Sequence, residues 1–136
     1  MRKELREKCK AAQLESIGMI KQVDGVVAAL HKEFGELFQA ALEWPRRCDG
    51  WYRGELARVL QILGYRCVFD GCQYGLTGRS LPVLKPWQVA TTMRALVEPL
   101  SQTCRGEHRH EPCQGLVAKK SAYYPPAMVQ TLARQS

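Results

Sequence analysis

The segment Cys104 to Cys113, CRGEHRHEPC, sets four side chains able to ligate a transition metal, Cys104, His108, His110 and Cys113, within ten residues. Thiolate sulfur and imidazole nitrogen are the donors that zinc takes in closed tetrahedral sites. In an extended segment, residues two apart point the same way and lie roughly 6.5 Å apart, so His108 and His110 can converge on one ion. Cys104 can fold back to meet them. The fourth donor can be Cys113 or Cys72. Four ligands from one short loop would force a tight ring, whereas Cys72 would tie the loop to the body of the fold. The expected set is therefore Cys72, Cys104, His108 and His110, holding zinc, with Cys113 as the competing fourth ligand. Such a site is closed and structural, and a loop this poor in apolar residues would take its order from the ion. The alternative is a set of solvated histidines and metal-free thiols.

Hydrolytic use of the metal would need an open coordination position and a nearby base. Glu107 and Glu111 flank the histidines, but carboxylates on a polar loop are ordinarily solvated. No Ser/His/Asp order, phosphate-cradling GxxxxGKS run or dinucleotide fingerprint occurs. The chain is accordingly expected not to be catalytic by itself.

The elements that must position these ligands fit one domain of 136 residues: a helical segment over 1–34, an α/β core over 36–101, the Cys/His loop over 102–118 and a terminal helix over 125–135. From Arg2 to Phe34 apolar residues recur at steps of three and four, the mark of one helix face; Gly18 and Gly25 allow either one kinked helix or two. Glu36 to Glu43 reads as a strand. A helix follows from about Gly54 to Leu63, and Tyr65–Asp70 (YRCVFD) is the best strand in the chain, rich in aromatic and β-branched residues. Strand parity puts Val68, Asp70 and Cys72 on one side and Cys67 on the other, toward the core. After a long Gly- and Pro-rich loop, Trp87–Thr91 reads as another strand, and Thr92 caps a short helix carrying Leu96, Val97 and Leu100. The expected fold is a small α/β domain of two or three layers, with three or four strands in a mixed or parallel sheet.

Six cysteines and an N-terminus (MRKELREKCK) without an apolar stretch point to an intracellular, reducing compartment, and no apolar run approaches the roughly 20 residues of a membrane span. A net charge of +7 favours an anionic partner. The basic residues fall in loops: Arg46 and Arg47, Arg53, Arg79 and Lys85, Arg105 and Arg109, Lys119 and Lys120. Arg46, Arg47, Arg79, Lys85, Arg105 and Arg109 are the candidates for one positive surface meeting DNA or RNA, with Trp51, Tyr74 and Trp87 available to stack bases.

Two segments carry a resemblance. EWP, Glu43 to Pro45, and LGYRCVFDGCQYGLTGR, Leu63 to Arg79, resemble the Glu-Asn-Pro strand end and the later tyrosine-glycine loop of cytosine-5 DNA methyltransferases. More specifically, EWP, FDGCQYGL, LKPWQVAT and CRGEHRHEPCQG, in this order over about residues 40 to 126, resemble a methyltransferase-like domain of retrotransposon-type polyproteins. The resemblance implies Glu43 at a target-base pocket and Arg79 near phosphates. The chain departs from the methyltransferase pattern in lacking a Gly-rich methyl-donor loop and a Pro-Cys nucleophile before EWP. The expected function is a metal-stabilised, nucleic-acid-associated domain of mobile-element origin. The alternatives are a partial methyltransferase-like domain needing a partner to bind the methyl donor, and a protein interaction module using the N-terminal helix.

Overall fold

The computed structural model describes residues 2–113 and divides into two compact units, Met1–Gln39 with Cys48–Gly64, and Ala40–Arg47 with the chain from Tyr65 onward. The helix expected over 125–135, together with Lys119 and Lys120, lies outside the described residues.

In the first unit α1 (Arg2–Phe34) is one unbroken helix. Each internal glycine costs about 1 kcal/mol relative to alanine, and the apolar face carrying Ile20 and Val27, both buried, runs past Gly25 without a change of phase. Gly35, at φ +55°, ends α1, and the chain winds on through a 3-10 turn, Gly35–Leu37. The strand expected over 36–43 is displaced by that turn: Phe38 N–H closes onto Gly35 O, and no extended pairing starts before Ala41. Two more 3-10 turns, Asp49–Tyr52 and Gly54–Leu56, lead into α2 (Ala57–Ile62), shorter than the helix expected from Gly54. α1 packs on α2 and on both turns. Leu56, Val59 and Leu63 share a face and are buried, as is Trp51. On the outside, Arg58 grips Asp24 through two hydrogen bonds of 2.9 and 2.7 Å. Those bonds hold the Asp24 carboxyl below its ordinary pKa, although an ion pair this exposed contributes little to stability.

The second unit is built on a three-stranded sheet of β1 (Ala41–Pro45), β2 (Tyr65–Asp70) and β3 (Pro86–Thr91), in the order β1-β3-β2. The small α/β class stands, but both pairings are antiparallel rather than mixed or parallel. For β2 and β3 the cause is the connection between them. A parallel return needs a crossover, usually a helix. Residues 71–85 instead make a single 3-10 turn, Gly71–Tyr74, then a narrow bridge at Thr77 and Pro82, and double back beside β2. Lys85, in a left-handed conformation at φ +32°, makes the last bend into β3.

Register puts Cys67 opposite Val89 and Phe69 opposite Trp87. These four form one buried face, covered by Tyr74, Leu96 and Leu100. Phe69 meets Tyr74 and Trp87 edge to face, at centroid distances of 5.4 and 5.3 Å, the arrangement that ring quadrupoles favour. Cys67 packs in this core as parity implied, and burial pushes its thiol pKa up to about 11. The helix expected after Thr92 is only a 3-10 turn, Arg94–Leu96. Thr92 does not cap it. Its hydroxyl accepts from Ala40 N–H, while the Thr91 hydroxyl donates to Ala40 O at 2.9 Å, so both threonines lock the start of β1 to the end of β3. No described helix is long and apolar enough to cross a membrane.

The face assignment is tested by truncation on β2. Phe69→Ala is expected to cost about 3–5 kcal/mol and Val68→Ala, on the exposed face, about 0.5 kcal/mol or less. Urea denaturation of the two variants measures both.

Candidate metal centre

Cys72, Cys104, His108 and His110 converge: one ligand atom from each lies within 4.8 Å of all the others, and all four residues are half-buried. Cys72 comes from the 3-10 turn that closes β2, and the other three from the Cys/His loop. The spacings match a metal's requirement. Bonds of about 2.3 Å to sulfur and 2.0–2.1 Å to nitrogen at a tetrahedral angle put sulfur and nitrogen roughly 3.6 Å apart. Cys104 Sγ stands 3.6 Å from His108 Nε2 and 3.4 Å from His110 Nε2. The two imidazoles meet edge to face at 4.7 Å, which lets both Nε2 atoms face one point. Cys113 is exposed and lies outside the cluster, so the choice between it and Cys72 falls to Cys72.

The cluster is held from outside by groups that the ligand pattern did not reveal. Asp70, at the end of β2, is only 4% exposed. Its Oδ2 accepts from Cys104 N–H at 2.7 Å and its Oδ1 from Arg46 Nη2 at 3.0 Å. Its own N–H donates to Gln102 O, and Tyr74 O–H donates to Pro99 O, so the root of the loop is fixed to the sheet through main chain and side chain together. At the far end Glu111 accepts from Arg79 N–H at 2.7 Å and from Ser80 N–H at 3.3 Å, while its own N–H donates to Pro82 O at 2.8 Å. Glu111 is thus committed to the turn at Gly78–Ser80 rather than placed as a base. The fit there is close: a Cβ on Gly78 would stand 1.5 Å from Glu111 Oε2, so the carboxylate would have to leave its place. Both sulfurs also accept hydrogen bonds, Cys104 Sγ from Gly106 N–H at 3.4 Å and Cys72 Sγ from the Gln73 amide at 3.6 Å. Donors of this kind stabilise thiolate charge and orient the ligand. Gly106 reaches its position at φ +78°, a conformation that side chains disfavour.

The basic candidates divide. Arg47, Arg79, Arg105 and Arg109 are exposed. Arg46 is half-buried with its guanidinium on Asp70 and Phe69 O, and Lys85 is half-buried with Nζ 4.8 Å above the Trp87 ring. The aromatic residues expected to stack bases do not present their rings: Trp51 and Tyr74 are each 4% exposed and Trp87 2%. Hydrophobic burial, the usual fate of a tryptophan in a small core, claims all three. Glu43 is half-buried in mid-strand, opposite Val89. Comparison with protein-family models, with curated proteins and with solved structures finds no match.

Loss of an outer contact to a metal ligand commonly lowers affinity 10- to 100-fold. Asp70→Ala and Gly78→Ala are each expected to weaken metal binding by about that factor, and Cys113→Ser to leave it unchanged, in competition titrations against a chromophoric chelator. Equal affinity in all three variants would show that neither anchor bears on the ligands.

Proposed function

We propose that Cys72, Cys104, His108 and His110 hold one zinc ion in a closed structural site, and that the loop so fixed carries a basic surface that binds nucleic acid. The observation that carries the reading is the convergence of two thiols and two imidazoles, from two separate stretches of chain, at near-tetrahedral spacing. Zinc fits this donor set because it accepts sulfur and nitrogen together and imposes no geometry beyond the tetrahedron. With all four positions filled by protein, no place remains for a hydrolytic water, and the ion's role is to order a loop with little apolar surface of its own.

Zinc would hold Arg105 and Arg109 on a fixed frame. Glu111 ties the same loop to Arg79, and Arg47 follows β1 in the same unit. The net charge of +7 and the placement of these arginines in exposed loops favour a phosphate-bearing partner. The resemblance to retrotransposon-type polyproteins fits a nucleic-acid setting for such a domain. With Trp51, Tyr74 and Trp87 buried, the surface would bind chiefly through backbone phosphates, with little preference among bases.

Binding to DNA or RNA is then expected to weaken steeply with salt. Four arginine–phosphate contacts would give a slope of log K on log salt of about −3 to −4, and Arg105→Ala or Arg109→Ala would each reduce it by about one. Fluorescence anisotropy at several salt concentrations measures this. No binding, or binding indifferent to salt, counts against a phosphate-reading surface.

A further inference from the structure

The two sulfurs of the cluster lie within 4.8 Å of each other and belong to a turn and a loop, not to the paired strands. Beside them opens a polar cleft of about 460 Å³, lined by Gln73, Ser101, Gln102, Thr103, Arg105 and Glu107. Gln73 follows Cys72, and Thr103 and Arg105 flank Cys104, so sequence neighbours of both cysteines line this cleft. We propose that Cys72 and Cys104 form a redox staple, in which hydrogen peroxide joins them as a disulfide, expels the metal and frees the histidine arm while the root of the loop stays in place. The inference rests on the zinc reading above.

The chemistry balances with peroxide as the oxidant. Metal-bound cysteines are thiolates, the nucleophilic form. One thiolate attacks the O–O bond, giving a sulfenic acid and hydroxide. The second thiolate attacks the sulfenic sulfur, forming the S–S bond and releasing a second hydroxide. Two protons convert both hydroxides to water. The sulfurs lose two electrons in total and peroxide gains two, while zinc, which has no redox chemistry of its own, leaves unchanged once its thiolates are gone.

What remains after oxidation follows from the two anchors. Cys104 N–H on Asp70 Oδ2, and Gln102 O on Asp70 N–H, involve no metal ligand atom. The disulfide would bridge the same two elements that the metal bridges, so the root of the loop keeps its place. His108 and His110 lose the ion they share, and the exposed Arg105 and Arg109 lie on the released arm. Of the other thiols, Cys67 is buried with its pKa raised to about 11, the exposed Cys113 can be removed by substitution, and peptide mapping tells any disulfide at Cys9 or Cys48 from the proposed one.

The experiment uses the full chain carrying Cys113→Ser, loaded with zinc and titrated with hydrogen peroxide. Zinc release is followed with a chromophoric chelator, the disulfide by peptide mass mapping, and loop release by trypsin cleavage after Arg105 and Arg109. The expected result is about one zinc released per Cys72–Cys104 disulfide, faster cleavage at both arginines by about tenfold or more, and reversal by dithiothreitol with zinc. Cys72→Ser in the same background is expected to form no such disulfide. Zinc that stays bound under peroxide, or is released with sulfinic acids in place of a disulfide, overturns the redox staple and leaves the zinc reading intact. Protein that takes up no zinc before peroxide overturns both.

Discussion

Asp70 is the joint on which the described site turns. A carboxylate buried at the end of a strand must have both oxygens satisfied, and here one is satisfied by the Arg46 guanidinium and the other by the main chain of Cys104. The first bond joins the chain leaving β1 to the end of β2, and the second fixes where the Cys/His loop begins. Removing one partner from such an arrangement strands the other charge in a poorly solvated place. The ligand cluster therefore inherits its position from the sheet: Cys72 lies two residues beyond Asp70, and Cys104 hangs from the Asp70 side chain.

The aromatic core explains why that joint is rigid. Phe69 precedes Asp70 and is locked edge to face between Tyr74 and Trp87. Tyr74 then sends its hydroxyl to Pro99 O and receives Gln102 N–H, so one buried ring serves both the core and the approach to the loop. Packing, hydrogen bonding and ligand placement are consecutive along Phe69, Asp70, Cys72 and Tyr74. A disturbance of this stretch reaches all three.

The convergence of Cys72, Cys104, His108 and His110 was legible in the sequence because three of them crowd one short loop, and because strand parity separated Cys72 from Cys67. β2 was legible for its β-branched and aromatic content, and β3 differs from expectation by only one residue, Pro86. The direction of the sheet was not legible, since it depends on how residues 71–85 return, and a Gly- and Pro-rich stretch is compatible with either sense. β1 was displaced because Gly35–Leu37 continues the helical winding, a choice that local composition between Phe34 and Ala41 does not settle. Asp70 and Glu111 were missed as supports because single acids carry no pattern. The available signal for Asp70 was a carboxylate ending an apolar strand in phase with Cys72. Residue type alone suits Trp51, Tyr74 and Trp87 to a nucleic-acid surface, whereas Trp87 alternates with Val89 on the core face of its strand.

X-ray absorption at the zinc K-edge of zinc-loaded protein tests the central claim most directly. The expected first shell has two sulfurs at about 2.3 Å and two nitrogens at about 2.0–2.1 Å, unchanged in Cys113→Ser. A shell of oxygen and nitrogen alone, or one with three sulfurs that loses one in Cys113→Ser, would contradict it.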